Sequence, residues 1–294
     1  MGVVDIDPEL LRAGAAWAGH AARQGALHTI PEYDADVPAI METLVPDGPY
    51  AWMIFPQVVD GVPRLPILTT REEVSKGYEM CWTMTRMLGI RNVIDLRGTW
   101  YVFAEQLSHN RSPGGQETRG ELVTLLTTTS IDVPGINGEI CWARKARSEL
   151  GTDRPAQPPA PLPDNQLRLQ LLDLHDRYIE ALRAGDVDAM LAEMDEAVQS
   201  PVRDYVEDTG ALIGLDGIAA HREHWTSFFA KYEVRLADVL DRVAQEWYLF
   251  AEVRLTVRER GGQGRTLAFH TAEMFIPAHD GRVIARLGHG TDPA

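Results

Sequence analysis

Two copies of one short aromatic motif lie half a chain length apart. Trp100–Glu105 has the sequence Trp-Tyr-Val-Phe-Ala-Glu, and Trp247–Glu252 has Trp-Tyr-Leu-Phe-Ala-Glu, 147 residues later in a chain of 294. A second matching pair, Asp36–Leu44 and Asp186–Met194, lies upstream in the same order at an offset of 150. Tryptophan and tyrosine are rare residues, so chance scarcely explains the first match. We therefore interpret the chain as a duplicated domain, with the aromatic motif on a buried strand of each copy.

The length and charge of the chain limit its domain organisation and the kinds of molecule that it can bind. The chain suits two domains of about 100–150 residues. It carries 43 acidic and 28 basic residues, a net charge of −15, which disfavours nucleic acid and anionic membrane surfaces as partners.

Cys81 and Cys141 are isolated and lack metal-ligand spacing. Met1–Asp7 shows no secretory signal pattern and no 18-residue apolar run follows, so we expect a cytoplasmic protein.

A proline-rich stretch separates the two halves. Residues 151–163 contain five prolines, which favour an extended, semi-rigid linker because proline cannot donate backbone hydrogen bonds. We expect a first domain at 1–150 and a second at 164–294.

Hydrophobic spacing predicts an α+β order in the second domain. Asp164-Asn165 begins a helix through Leu182, and Gly185-Asp186 ends it and caps a short helix. An irregular or strand-like stretch and a third helix from Asp216 follow, and then strands with turns at Gly261-Gly262 and Asp280-Gly281. The expected ranges are Val187–Met194 for the short helix, Val198–Ile213 for the irregular stretch, and Trp247–Arg258, Arg265–Ile276 and Arg282–His289 for the strands.

The first domain repeats this order. Asp7-Pro8 begins a helix to about Ile30, and the capping box Thr70–Glu73 begins one to about Leu88. A turn at Asn137-Gly138 precedes the last strand. The remaining expected elements are a helix over Asp36–Leu44 and strands over Tyr50–Phe55, Asn92–Ser108 and Glu117–Ile131.

With these elements placed, the second domain resembles the nuclear transport factor two-like superfamily. The resemblance rests on Arg177–Glu180 followed by Gly185–Ala189, which is similar to ketosteroid isomerase, and the superfamily also includes scytalone dehydratase, limonene epoxide hydrolase and SnoaL-like polyketide cyclases. It implies two tandem cone-shaped α+β barrels, each with three helices on a bent, mostly antiparallel sheet. It also implies that the two pack sheet to sheet as an intramolecular pseudo-dimer, with a further homodimer open.

The resemblance to ketosteroid isomerase, in which a tyrosine and a protonated acid form an apolar oxyanion hole beside a carboxylate base, assigns two hydrogen-bonding residues. Tyr178 matches the first-helix tyrosine that donates to the substrate oxyanion. Glu273 lies close to the oxyanion-hole acid, and His270 is its competitor because strand alternation lets only one of the two face the cone. Burial beside Phe269 would raise the pKa of Glu273 and keep it neutral.

The position of the catalytic base is less well matched. Ser200-Pro201 stands where the isomerase has its aspartate, and Asp204 follows shortly after. His289 on the last strand is the alternative proton shuttle, because SnoaL-like cyclases carry an acid–base residue on a late strand. On the third helix, His221 is expected to face the cone beside Trp225. We expect no metal ion and no cofactor, although His221 and His224 share one face.

The first domain matches the family less well. His28 occupies the position of Tyr178, Ser130 lies near that of Glu273, and Trp52 or Met53 stands where the base belongs. The first domain is therefore expected to be a degenerate copy, with a site based on His28 left open, and activity is assigned to the second domain.

The leading functional prediction is a cofactor-independent acid–base enzyme, an isomerase, cyclase or dehydratase. Its substrate would be a hydrophobic polyketide-, terpenoid- or steroid-like small molecule, bound with the help of Trp225 and Phe269. One alternative is a non-catalytic binding or assembly protein. A third is a limonene-type epoxide hydrolase, for which Arg203 and Asp204 supply part of the required Asp-Arg-Asp set.

Overall fold

The computed structural model describes residues 8–48, 50–53, 57–59, 62–64, 66–144, 164–207, 212–261, 264–278 and 281–293. The chain divides into two compact units. The first unit comprises Met1–Phe55 and Leu68–Lys145, and the second unit comprises Pro56–Ile67 and Ala146–Ala294. The predicted linker at 151–163 lies outside the described residues. The predicted domain boundaries and the pseudo-dimer therefore stay predictions.

The first unit places three helices on a five-stranded sheet. The helices are α1 (Pro8–Asp34), α2 (Val37–Glu42) and α3 (Arg71–Met84). The sheet has the order β1-β7-β6-β5-β4, with β1 parallel to β7 and all other pairs antiparallel. Its strands are β1 (Ala51–Met53), β4 (Arg86–Arg97), β5 (Tyr101–Arg111), β6 (Glu117–Thr127) and β7 (Gly138–Ala143). Strands β2 (Gln57–Val59) and β3 (Val62–Arg64) form a separate hairpin in the segment assigned to the second unit.

The second unit has the same order of elements. Its helices are α4 (Asp164–Ala184), α5 (Val187–Leu191) and α6 (Gly217–Lys231). Its six-stranded sheet has the order β10-β11-β12-β13-β8-β9, with β13 parallel to β8. The strands are β8 (Met194–Arg203), β9 (Leu212–Asp216), β10 (Tyr232–Ala244), β11 (Leu249–Glu259), β12 (Thr266–Pro277) and β13 (Val283–Gly290). The predicted α+β class and the duplication are confirmed. No described helix combines the length and the apolar character needed to cross a membrane.

The matching segments have the same structural role in both units. Ala35 and Gly185 follow the long helices with positive φ angles of 54° and 69°. Asp36 and Asp186 then cap the next helix, and each carboxylate accepts a backbone N–H three residues on, at 3.1 and 3.0 Å. The aromatic motifs span the starts of β5 and β11, and their aromatic residues are buried, as predicted.

Several predicted boundaries were wrong. The single strand expected over Asn92–Ser108 is two strands, β4 and β5. The chain turns between them at Gly98, where a Cβ atom would clash with the Tyr101 ring. Strand β10 was not predicted because it is partly exposed along most of its length and is interrupted by bulges, which obscures the two-residue alternation. Met194 begins β8 instead of ending a helix.

Candidate functional site

A buried polar cluster lies inside the first unit and brings together side chains from α1, β1, α3 and β7. His28, Trp52, Tyr78 and Glu139 are each at most 5% exposed. The Tyr78 hydroxyl donates a short hydrogen bond to Glu139 Oε2. Trp52 Nε1 lies 3.1 Å from the Tyr78 hydroxyl and 3.1 Å from Glu139 Oε2. His28 Nε2 lies 2.8 Å from the Tyr78 hydroxyl. Glu139 is therefore the acceptor around which the cluster is arranged.

Hydrogen bonds hold both ring nitrogens of His28. The Thr43 hydroxyl donates to the Ile40 carbonyl and lies 2.6 Å from His28 Nδ1. The Tyr78 hydroxyl donates its one proton to Glu139 and lies 2.8 Å from His28 Nε2. The same Nε2 atom lies 3.5 Å from Glu139 Oε2, so the imidazole is placed to pair with this carboxylate.

Glu139 is held in its ionised form. Burial alone would raise the pKa of this carboxyl, but hydrogen bonding and charge from His28, with hydrogen bonds from Tyr78 and Cys141, lower the pKa below its ordinary value. Its Oε2 atom faces the donors of the cluster. Its Oε1 atom has a weak contact, 3.4 Å to Cys141 Sγ. The carboxylate therefore has one oxygen committed to the cluster and one that can accept a proton.

Glu32 lies one helical turn after His28 on α1, and its pKa is shifted in the direction opposite to that of Glu139. Burial raises its pKa, and the negative charge of Glu139 raises it further, well above the ordinary value. None of the described residues donates a hydrogen bond to the Glu32 carboxyl. Ligand atoms of His28, Glu32 and Glu139 all lie within 4.8 Å of one another. Two neighbouring carboxyl groups therefore have pKa values displaced in opposite directions.

Both carboxyl groups face a cavity of about 140 Å³ in the first unit. The wall is largely apolar, with a row of amide and hydroxyl side chains from β5 and β6. The apolar residues include Trp82, Met87, Ile90, Leu122 and Leu126, and the polar row comprises Gln106, Ser108, Asn110 and Thr124. An apolar pocket with a few convergent polar groups is the usual form of a small-molecule site. This cavity offers a proton donor and a proton acceptor to one bound molecule.

The three ionisable residues also have the spacing of metal ligands. Three ligand atoms within 4.8 Å could surround a divalent cation. However, N–H and O–H groups of Trp52 and Tyr78 point at Glu139 Oε2, the oxygen nearest His28. Those donors compete with a cation for Oε2, whereas Oε1 has only the weak contact with Cys141.

The strand registers correct one predicted equivalence between the halves. Ala104 in β5 pairs with Thr124, and its counterpart Ala251 in β11 pairs with Glu273. Thr124 is therefore the equivalent of Glu273. The prediction of Ser130 was wrong, because that residue lies beyond the end of β6. The loop between the paired strands differs in length between the two halves, which shifts the simple sequence offset.

The carboxylate of the first half was not identified from the sequence, because it lies at a different register position. Two strand positions further along the registers, Leu126 pairs with Glu139 and Phe275 pairs with Arg286. The same position therefore carries an acid in one copy and a base in the other. Two sequence signals were available: Glu139 is the one charged residue of strand β7, and Glu32 follows His28 at helical i+4 spacing.

In the second unit, an ion pair occupies the equivalent space. Arg286 Nε and Nη2 donate to the two oxygens of Glu273 at 2.7 and 2.6 Å. The guanidinium carbon lies 5.4 Å from the Tyr178 ring centre and 5.1 Å from that of Trp225. Burial would raise the pKa of Glu273, but the charge and hydrogen bonds of Arg286 lower it. The expected neutral acid at Glu273 is therefore corrected to a carboxylate.

Strand alternation resolves the choice between the two candidate residues on β12. Glu273 lines a cavity of about 40 Å³ together with Phe269 and Thr271. His270 points to the other face, where its Nδ1 lies 2.8 Å from Glu252 Oε1. Glu273 is therefore the residue that faces the pocket, and Phe269 lies beside it as expected for a binding residue.

The remaining candidates of the second unit are dispersed. Asp204 accepts backbone N–H groups of Val206 and Glu207 at 3.0 Å, which is a turn-capping arrangement. It does not line the cavity. His221 is buried, and its ring nitrogens contact the Ser200 hydroxyl at 2.7 Å and the Gly217 carbonyl at 2.8 Å. Neither residue is therefore presented to a ligand in the described part of the cavity.

Tyr178, His289 and Arg203 lie closer to the pocket. The Tyr178 hydroxyl is buried without a hydrogen-bond partner among the described residues, and burial raises its pKa. His289 and Arg203 line the cavity. Burial, with a smaller contribution from Arg203, lowers the pKa of His289 to about 3. His289 is therefore a neutral imidazole at physiological pH.

The order of elements in each unit decides the fold family. Each has a long helix, a short helix, a strand parallel to the last strand of the sheet, a third helix and an antiparallel meander. Both units have the nuclear transport factor two-like fold. The resemblance found in the sequence of the second half therefore extends to the first.

The chain was compared with protein families, curated proteins and solved structures. No protein-family model matches the sequence, and no curated protein matches it. A candidate polyketide cyclase of Xanthomonas campestris pv. campestris is 20% identical with a TM-score of 0.35, over 42% of this chain and 91% of its own. A ketosteroid isomerase-like protein of Erwinia carotovora atroseptica is 12% identical with a TM-score of 0.36, over 43% and 97%. A nuclear transport factor two-like protein of Burkholderia xenovorans is 15% identical with a TM-score of 0.36, over 42% and 92%.

Proposed function

We propose that this protein catalyses proton transfer on a hydrophobic small molecule, as an isomerase, cyclase or dehydratase, in the cavity of the first unit. The observation that supports this is the pair Glu32 and Glu139, whose pKa values are displaced in opposite directions inside one apolar cavity. Two neighbouring carboxyl groups with separated pKa values are the usual basis for dividing acid and base roles between them. The substrate would be a polyketide-, terpenoid- or steroid-like ketone.

The proposed chemistry follows from the free oxygen of each carboxyl. Glu139 Oε1 takes a proton from a carbon next to the substrate carbonyl, and that C–H bond breaks. Glu32 gives its proton to the carbonyl oxygen, which becomes an enol hydroxyl. In a β,γ-unsaturated ketone, the proton on Glu139 then passes to the γ carbon and the enol proton returns to Glu32, which yields the conjugated isomer. In a β-hydroxy ketone, the proton on Glu139 passes to the hydroxyl, which leaves as water while the enol proton returns to Glu32. Tyr78, which also lines the cavity, donates its one proton to Glu139 Oε2 and so holds the carboxylate in position.

His28 acts through Glu139 and not on the substrate. Its charge and hydrogen bonding lower the pKa of Glu139, and its 2.8 Å contact with the Tyr78 hydroxyl fixes the tyrosine. It is therefore a positioning residue. Loss of the imidazole would raise the pKa of Glu139 and reduce the fraction of active base near neutral pH.

Exchange of substrate protons with solvent deuterium tests this proposal without knowledge of the product. Cyclic and polycyclic ketones are incubated with the protein in deuterium oxide, and exchange next to the carbonyl is followed by NMR. Glu139→Gln and Glu32→Gln should each lower the exchange rate by about 100-fold or more, as for loss of a general acid or base. Glu121→Gln, at an exposed residue paired with Arg144, is the matched control and should leave the rate unchanged.

Three outcomes distinguish the candidate functions. Exchange lost in Glu139→Gln supports a site in the first unit. Exchange that depends on Tyr178 and not on Glu139 would move it to the second unit, as the sequence predicted. Binding of ketones without exchange in any variant would favour the non-catalytic alternative. The epoxide-hydrolase alternative gains no support from the cavity of the second unit, because Asp204 does not line it.

A further inference from the structure

The cavity of the second unit is surrounded by buried donors that lack acceptors. Arg286 Nη1 and Trp225 Nε1 have no hydrogen-bond partner among the described residues. Arg286 is 5% exposed and Trp225 is 6% exposed, and both line the cavity of about 40 Å³. Buried polar groups are nearly always paired, so two unpaired donors at one cavity indicate a missing acceptor.

The two arginines at this cavity are each paired with one carboxylate. Glu273 accepts two hydrogen bonds from Arg286. Arg203, which also lines the cavity, pairs with Asp292. The charges therefore balance, and Arg286 Nη1 is left as a charged donor that has no hydrogen-bond partner among the described residues.

Two histidines that line the cavity have lowered pKa values. Burial lowers the pKa of His224 to about 4, and Arg286 contributes in the same direction. The pKa of His289 is lowered in the same way, to about 3, with Arg203 contributing. Both imidazoles are therefore neutral and add no positive charge at physiological pH. An anion in this cavity would lie beside the unpaired donors of Arg286 and Trp225. The carboxylate that also lines the cavity, Glu273, is already paired with Arg286.

The volume limits the size of the ligand. A single water needs about 10–15 Å³ of the same kind of space, so about 40 Å³ accommodates a group of a few heavy atoms. A formate- or acetate-sized carboxylate has this size. Its planar pair of oxygens can accept from two donors at once.

We propose that the second unit binds a small carboxylate in this cavity, with Arg286 Nη1 and Trp225 Nε1 as its hydrogen-bond donors. The site is independent of the acid–base cluster of the first unit. It gives the second copy a ligand-binding role in place of the proton chemistry that we propose for the first.

Formate and acetate are the probes. Binding is measured by isothermal titration calorimetry on the full chain near pH 7, at an ionic strength held constant with a bulky organic anion. Thermal unfolding in the same buffers gives a second readout. We expect one saturable site per chain and an increase in the unfolding temperature with either probe.

Trp225→Phe removes the N–H donor but keeps an aromatic ring against Arg286, so the unit should remain folded. It should weaken formate binding about tenfold or more, as for loss of a hydrogen bond to a charged group. Trp142→Phe makes the same change at a buried, unpaired indole N–H of the first unit that lines neither cavity, and it should leave formate affinity unchanged.

No saturable binding of either probe would overturn the proposal. Equal affinity in the wild type and in Trp225→Phe would overturn it as well, since binding would then occur elsewhere. Because neither variant alters Glu32 or Glu139, failure here leaves the proton-transfer proposal untouched, and the exchange assay tests that separately.

Discussion

Two buried tyrosines offer a direct test of the cluster in the first unit. Tyr78 and Tyr178 are 1% and 4% exposed, so both lose an equally buried hydroxyl on substitution by phenylalanine. The Tyr78 hydroxyl contacts His28 Nε2 at 2.8 Å, Trp52 Nε1 at 3.1 Å and Glu139 Oε2. The Tyr178 hydroxyl has no described hydrogen-bond partner. The two substitutions should therefore differ in energy although their chemistry is the same.

The magnitude follows from the partners that remain. A hydrogen bond to a charged group contributes about 1.5–3 kcal/mol and a neutral one about 1 kcal/mol. After Tyr78→Phe, Trp52 still donates to Glu139, and His28 lies close enough to approach the same carboxylate, so part of the loss is recovered. We expect a net loss of about 2–4 kcal/mol in the free energy of unfolding. Tyr178→Phe should change it by less than about 1 kcal/mol, or stabilise slightly, because an unpaired buried hydroxyl is removed.

Urea unfolding followed by far-ultraviolet circular dichroism measures both changes, in buffer free of small carboxylates. The two units can unfold separately, so each transition is fitted on its own. Equal losses for the two variants, or a loss below about 1 kcal/mol for Tyr78→Phe, would show that the cluster does not have the hydrogen bonds described.

Three further predictions concern stability. Ala35 has a positive φ of 54°, so Ala35→Gly should raise the free energy of unfolding by up to about 1 kcal/mol in urea; a loss would contradict that backbone conformation. Glu32 has a folded pKa raised above 4.5, so it binds a proton more tightly when folded. Its stabilisation is present below the unfolded pKa and is lost as pH rises through the folded pKa; unfolding measured upward from pH 4.5 should show this loss in the wild type and not in Glu32→Gln. His221 has its pKa lowered from 6.5 to about 4 by burial, so its contribution is present above pH 6.5 and is lost as pH falls toward 4. Between pH 7 and pH 5 the contribution of His221 to this loss should be about 2 kcal/mol. His221→Gln should therefore reduce the loss by about that amount, while His224 and His289, whose pKa values are lowered in the same direction, continue to contribute; an unchanged pH profile in that variant would place the titration elsewhere.

The fold was largely predictable because its strongest signals are local. The capping box at Thr70 and Glu73 is present, with the carboxylate accepting the Thr70 N–H at 3.0 Å. Asp36 and Asp186 cap the same helix in each copy. Capping and turn chemistry involve residues a few positions apart, so the sequence shows them directly. Strand β10 was not predicted because its partial exposure obscures the alternation of apolar and polar residues that is typical of a strand.

The site was harder to predict because its partners are distant in sequence. His28 was identified through the repeat, but its contacts with Tyr78 and Glu139 span 50 and more residues. Arg286 was missed for the same reason, and its presence reverses the expected protonation of Glu273. The pKa of a buried carboxyl depends on which charged side chain lies beside it. A single sequence shows that neighbour only if the pairing register of the strands is known.

The protonation state of Glu32 beside Glu139 is the central claim, and carboxyl-carbon NMR measures it most directly. Glutamate labelled with carbon-13 at the side-chain carboxyl is incorporated into the full chain, and each resonance is followed through a pH titration. We predict one glutamate that titrates well above the ordinary range, that disappears in Glu32→Gln and whose titration moves downward in Glu139→Gln. If every glutamate resonance that titrates does so within the ordinary range, the two carboxyl groups are not divided into acid and base, and the proposed mechanism is wrong.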